Sequence, residues 1–198
     1  MNPATILTTS RLLWAPVFAY LFITSVRNNL SPIWLWLALV FAIFIELSDA
    51  FDGPIARSRK EVTDFGKIFD PICDSMSRQT VFLAFLLSGI IPLWMFLIFM
   101  YRDAMMSFLR IMCAVDGSVI AARISGKIKA ILQAIAGFCV IAIALAHAYN
   151  LPQIPRTLWG QHPGFWIMLV TALFTFFSMF DYLIPNWHVL KKRMEPKG

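Results

Sequence analysis

Long apolar runs broken by short polar stretches set the architecture of this chain. The runs cover roughly residues 12–26, 33–47, 66–88, 93–114, 126–149 and 165–184. With its polar ends included, each comes close to the ~20 residues a helix needs to cross a bilayer. The breaks carry turn chemistry: Arg27-Asn28-Asn29, Gly89 to Pro92, Asp116-Gly117, and the proline-rich stretch from Asn150 to Gly164. The pattern predicts an all-α membrane protein of about six transmembrane helices with a cytosol-facing polar cavity, organised as a single domain over residues 1–198. Residues 1–11 are polar, and no small-x-small cleavage site follows Ile23. The first run therefore reads as a retained helix rather than a cleaved signal peptide.

Composition sharpens this picture. Hydrophobic residues make up 59% of the chain and charged residues 14%, against roughly 25% charged in a soluble domain. Of the 17 Lys and Arg, only Arg27 and Arg156 fall at one set of helix ends; the others lie towards the opposite side. That asymmetry puts both termini and the polar stretch 49–74 in the cytosol. The net charge of +6 suits anionic lipid and anionic substrates. It does not suit nucleic acid, because the basic residues are scattered between apolar runs rather than gathered in one patch. Cys73, Cys113 and Cys139 lie far apart in or beside apolar helices and read as small buried hydrophobes.

The chemistry is concentrated between Asp49 and Asp74. Asp49 and Asp52 are spaced i,i+3, and Asp70 and Asp74 are spaced i,i+4, so on helices each pair shares a face. Four acids on neighbouring helices call for a cation between them. Mg²⁺ is the natural occupant, with Mn²⁺ as the alternative, since it takes hard oxygen ligands and bridges carboxylates to phosphates. Two ions roughly 3.5–4 Å apart would stabilise charge on a diphosphate. Glu46 lies one turn before Asp49 and is either part of this site or an interfacial carboxylate. Small residues at Gly53 and Ala56 suit either a nucleotide lying against the helix or close helix packing. Pro54 and Pro71 each sit beside an acid and remove a helical hydrogen bond.

A second constellation is basic. Arg102, Arg110, Arg123, Lys127 and Lys129 lie on the fourth and fifth helices and their link, on the same side as the acids, where they could hold a phosphorylated acceptor. Arg123 and Lys129 suit lipid headgroups equally well. Arg102 and Arg110 interrupt an apolar run and must face protein or water.

The string Asp49-x2-Asp52-Gly53-x2-Ala56-Arg57-x8-Gly66-x3-Asp70-x3-Asp74 resembles the signature of the CDP-alcohol phosphatidyltransferase family, with all eight fixed positions filled. The segments 5–11, 62–71 and 117–133 resemble the phosphatidylglycerophosphate synthase branch of that family, although Ser75 stands where that branch usually has Lys. The resemblance implies a metal-dependent transferase in the cytoplasmic membrane, working as a homodimer. It implies that Asp49, Asp52, Asp70 and Asp74 bind the metals, that Asp74 is also the general base, and that Gly53, Ala56, Arg57 and Gly66 serve the CDP moiety. The expected reaction moves the phosphatidyl group of CDP-diacylglycerol to glycerol 3-phosphate and releases CMP. The alternatives are a sister enzyme using inositol phosphate or a CDP-choline-type donor, and, from another class, a cation transporter. The transporter reading explains the acids but gives Gly53, Ala56 and Arg57 no role.

Overall fold

Every apolar run is a helix in the computed structural model. It describes residues 3–58, 64–115 and 124–194, with the side chains of all but residues 3–7, 49–58, 64–68, 111, 113–115, 186 and 188–194. The helices are α1 (Pro3–Asn28), α2 (Ile33–Ser58), α3 (Asp64–Leu87), α4 (Leu93–Val115), α5 (Ile124–Ala148) and α6 (Pro163–Met194). No strand occurs among the described residues; a lone bridge pairs Leu158 with Gln161 in the α5–α6 connection. In a bilayer this is the expected solution, because a helix satisfies its own backbone polar groups.

Three helices, α1, α3 and α5, run in the same direction and stop in the same way. Asn29, Gly89 and Asn150 adopt φ of +49°, +72° and +52°. The next residue then turns its N–H back to a carbonyl in the last turn: Leu30 to Ser25, Ile90 to Phe85 and Leu151 to Ala146. This left-handed stop needs a residue that tolerates positive φ, and Asn and Gly supply it. The Arg27 Nε–H donates to the Leu87 carbonyl at 2.8 Å, tying the ends of α1 and α3 together.

α1 packs against both α2 and α3, α4 against α3 and α6, and α5 against α6 and, more lightly, α2. Aromatic rings fill the α1–α3–α4 seam. Phe22 meets Phe85 with ring centroids 5.2 Å apart, and Phe82 meets Phe99 at 4.5 Å. Buried Ala15, Ala19, Ala38 and Ala42 sit on α1 and α2, where small side chains let helices approach closely. Large apolar residues such as Leu13, Tyr20, Ile131, Val170 and Phe177 point outward. The excess of apolar sequence therefore coats the bundle as well as filling it.

Three stretches are long and apolar enough to cross a membrane: Thr8–Asn28, Ile124–Ala148 and Pro163–Pro185. The apolar part of α2, Ile33–Ser48, is shorter. At 24 and 23 residues, α3 and α4 are ~35 Å long, enough to span. Their mean hydropathy is pulled down by polar residues that turn inward, among them Ser77, Arg78, Arg102 and Asp103. At the N-terminus, residues 3–11 are not a separate surface segment but the first turns of α1. Thr8 and Arg11 are buried there, because α3 offers carboxylates to both. α6 likewise continues through Lys191-Lys192-Arg193, the basic tail of the sequence.

His162 caps α6: its Nδ1 accepts the Gly164 N–H at 3.0 Å. Burial first, and then the neighbouring His147, hold its pKa down at about 4, against 6.5 for an ordinary histidine. The unfolded chain thus takes up this proton at higher pH than the folded one. The cap's contribution is complete above pH 6.5 and is lost as the pH falls towards 4. His162→Asn keeps an acceptor that does not titrate. Between pH 7 and 4.5 it should lose less thermal stability in detergent than the wild type. Parallel curves would mean that the cap does not set the acid sensitivity.

Candidate active site

Asp70, Asp74 and Arg78 follow one another at i+4 along α3, so a single stripe of that helix presents acid, acid and base. The Arg78 Nη2–H donates to Asp74 Oδ1 at 2.8 Å. Arg78 Nη1 reaches the Ala130 carbonyl and Gln133 Oε1 on α5, each at 3.4 Å. Gln133 in turn donates to the Thr175 hydroxyl on α6 at 3.2 Å. From α1, Arg11 Nη1 lies 3.9 Å from the same Asp74 oxygen, and the Thr8 hydroxyl donates to Asp70 Oδ1 at 3.1 Å. Arg11 is 1% exposed, whereas the Asp74 carboxylate is 38% exposed. The carboxylate thus faces an open space while its cationic supports are sealed in the bundle.

A narrow cavity of about 30 Å³ begins at this point. Arg11, Glu46, Asp74 and Arg78 line its polar part, and Ala42, Ile45, Val81, Phe138 and Ile141 its apolar part. Polar chemistry and an apolar slot between α2, α3 and α5 are therefore continuous.

The basic constellation divides. Lys129 Nζ donates to Asp103 Oδ1 at 2.7 Å, Arg102 Nη1 to the same oxygen at 3.1 Å, and Gln79 Nε2 to Asp103 Oδ2 at 3.1 Å. The charged side chains of this cluster are 6–8% exposed, and the Arg102 guanidinium also lies over the Tyr182 ring at 5.8 Å. Arg102 and Lys129 therefore neutralise Asp103 inside the bundle. Arg110 and Lys127 are exposed near the ends of α4 and α5, and Arg123 lies outside the described residues.

The backbone is helical through both acidic pairs, which puts Asp49 and Asp52 on successive turns of α2 and Gly66 in the first turn of α3. The side chains of Asp49, Asp52, Gly53, Ala56, Arg57 and Gly66 lie outside the described residues. Among the described residues no group of three or more His, Cys, Asp or Glu gathers. Asp70 and Asp74 nevertheless offer hard carboxylate oxygens one turn apart, the donor type that fits a divalent cation. Sequence reading missed Arg11 and Arg78. The signal for Arg78 was present, because it stands at the same interval from Asp74 as Asp74 does from Asp70.

Removing the acid from the second cluster leaves two buried cations unpaired. Asp103→Asn should cost about 3–5 kcal/mol of stability, read by denaturation in detergent. Asp103→Leu combined with Arg102→Leu and Lys129→Met should recover a large part of that loss. Wild-type stability of Asp103→Asn would mean that the cluster does not hold the helices together.

A family model described as "CDP-alcohol phosphatidyltransferase" matches residues 1–184. A Treponema pallidum protein named CDP-diacylglycerol--glycerol-3-phosphate 3-phosphatidyltransferase is 28% identical over 155 residues, 78% of this chain and 72% of its own length. A Bacillus subtilis protein of the same name is 27% identical over 192 residues, 93% of this chain and 95% of its own. A Mycobacterium bovis protein named "Putative cardiolipin synthase" is 33% identical over 97 residues, 49% of this chain and 43% of its own. With nearly the whole chain inside the family match, and apolar helices packed around buried charges, this is an integral membrane enzyme of the CDP-alcohol phosphatidyltransferase family.

Proposed function

We propose that the chain transfers the phosphatidyl group of CDP-diacylglycerol to glycerol 3-phosphate, giving phosphatidylglycerophosphate and CMP. The observation that carries this is the cavity joining Asp74, Arg11 and Arg78 to an apolar slot. A donor with a nucleotide diphosphate at one end and two acyl chains at the other needs such a junction. The full-length similarity to the Bacillus subtilis protein supports the choice of donor and acceptor.

In this reading the acceptor hydroxyl oxygen bonds to the phosphorus that carries diacylglycerol. The bond from that phosphorus to the CMP oxygen breaks, and CMP leaves with the electron pair. Asp74 takes the hydroxyl proton. Arg78, donating at 2.8 Å and itself fixed to α5, holds the carboxylate in one direction. Asp49, Asp52, Asp70 and Asp74 would hold two Mg²⁺ ions, which when bound supply cationic charge against the diphosphate. Gly53, Ala56, Arg57 and Gly66 serve the CDP moiety. Arg110 and Lys127, exposed at the same end, attract the acceptor phosphate, while Arg102 and Lys129 shape its surroundings through Asp103. The acidic end and both termini face the cytosol, where the positive charge is concentrated.

The test is CMP release from CDP-diacylglycerol by purified protein with a panel of acceptors. Glycerol 3-phosphate should support turnover; inositol phosphate and phosphatidylglycerol should not. Turnover with one of those instead would change the acceptor and leave the donor chemistry standing. Arg110→Ala or Lys127→Ala should raise KM for glycerol 3-phosphate and spare KM for CDP-diacylglycerol. An equal rise in both would remove these residues from the acceptor site.

The acids should separate by role. Asp49→Asn, Asp52→Asn and Asp70→Asn should weaken Mg²⁺ binding and abolish turnover, with excess Mg²⁺ restoring part of it. Asp74→Asn should lose about 10²–10⁴-fold in kcat, the worth of a positioned base, and added metal should not recover it. An active Asp74→Asn enzyme would place the base elsewhere.

A further inference from the structure

At the opposite end of the bundle lies a second, larger cavity of about 490 Å³. Ser25 of α1, Asn29 just after it, His147 of α5, Asn150 and Arg156 of the α5–α6 connection, and His162 line its polar part. Ser25 is fourteen residues beyond Arg11 on α1, so the cavity is ~21 Å along the axis from the acidic site. It lies at the level of the hydrogen-bonded Trp36–Tyr149 pair, whose Nε1–H donates to the hydroxyl at 3.1 Å. Amphipathic rings of this kind sit among lipid headgroups.

Three observations point to a ligand and fix its sign. The Ser25 hydroxyl is buried, with 3% of the residue exposed, and has no hydrogen-bond partner. A buried hydroxyl left unpaired costs roughly 1–3 kcal/mol, and here the cavity beside it offers the space for a partner. Next, among the described residues of the lining Arg156 is the one charged side chain, and no carboxylate stands beside it. It donates to Asn150 Oδ1 at 2.9 Å through one Nη2 hydrogen, leaving further donors of its fork for a ligand. Finally, the Ser25 and Ala146 carbonyls, in the last turns of α1 and α5 beside the cavity, are already taken by the Leu30 and Leu151 N–H groups of the caps and so offer less repulsion to an anion.

The histidines argue against a metal. His162 Nδ1 accepts the Gly164 N–H, so the neutral ring carries its hydrogen on Nε2 and has no lone pair there to give. His147 Nε2 faces the Pro155 carbonyl at 3.1 Å, an atom that only accepts, so it too bears a hydrogen. The Nδ1 of His147 is then the single imidazole lone pair left, too few to hold a metal ion.

We propose that this cavity binds the phosphate group of an ester, with Arg156, the Ser25 hydroxyl and the His162 Nε2–H as its donors. The group is either the headgroup of a lipid at this face of the membrane or a soluble phosphate. Val26, Leu30 and Leu35 in the same lining suit an ester with an apolar neighbour.

The chain has 3 histidines, so ring-labelled protein gives few signals. His188, near the C-terminal end of the α6 backbone, serves as the internal reference. The whole protein in a phosphate-free maltoside detergent is titrated with inorganic phosphate and, separately, with dihexanoyl phosphatidylglycerol. The His147 and His162 signals should shift saturably with at least one probe. A response to phosphate identifies a soluble ligand as sufficient, and a response to the lipid alone identifies a headgroup. Arg156→Gln, an exposed loop change remote from the acidic site, should leave CMP release intact and weaken binding ~10-fold or more, as expected for a charged hydrogen bond. Ser25→Ala should weaken it by a smaller factor. Absence of a saturable shift with both probes, or unchanged affinity in Arg156→Gln, overturns the proposal.

Discussion

A charged side chain inside an apolar bundle must find its opposite charge or leave, and this structure is arranged around meeting that requirement. α3 is where most of the pairing happens. Along one stripe it brings Asp70 to Thr8 and Asp74 to Arg11 on α1, and it sends Arg78 to α5. Its next residue, Gln79, reaches Asp103 on α4. Each contact crosses between helices, so the polar network fixes which helices are neighbours in a setting where lipid and core are equally apolar. Without those pairs the aromatic seam of Phe22, Phe82, Phe85 and Phe99 would still be apolar, but less constrained in register.

The same economy explains why the two acids of α3 and the acid of α4 end up so differently. Asp103 meets Lys129 and Arg102 on all sides of a closed space, and its charge is spent on holding α4, α5 and α6 together. Asp74 meets its arginines from behind and keeps an open face. A carboxylate supported on one side and accessible on the other is available for substrate; one enclosed by cations is structural. Burial and direction separate the two roles, although the residue type is the same.

The two ends of the bundle also differ in how the helices stop. At the end opposite the acids, α1, α3 and α5 close with left-handed residues, and each turns an N–H back to a carbonyl in its last turn. Hydroxyl, amide and guanidinium groups then line the cavity at that end. At the acidic end, α2 and α3 carry their carboxylate pairs in helix, on regular backbone rather than in loops.

What the sequence by itself determined was everything carried by local spacing. The number and direction of the helices follow from apolar runs of membrane length, and their stops from Asn29, Gly89 and Asn150. The pairing of Asp49 with Asp52, and of Asp70 with Asp74, follows from intervals of three and four. These features need only the period of one helix. What the tertiary structure decided is which stripe faces which. Arg11 looked like the edge of a polar tail and became a buried support of Asp74. The interval of Arg78 put it on the stripe of Asp70 and Asp74, but only packing sends it across to α5. Arg102 and Lys129, grouped by sequence with Arg110 and Lys127, turned inward to Asp103. No interval along the chain encodes those choices, because helix rotation and neighbour are settled by packing and by pairing buried charge across distant segments.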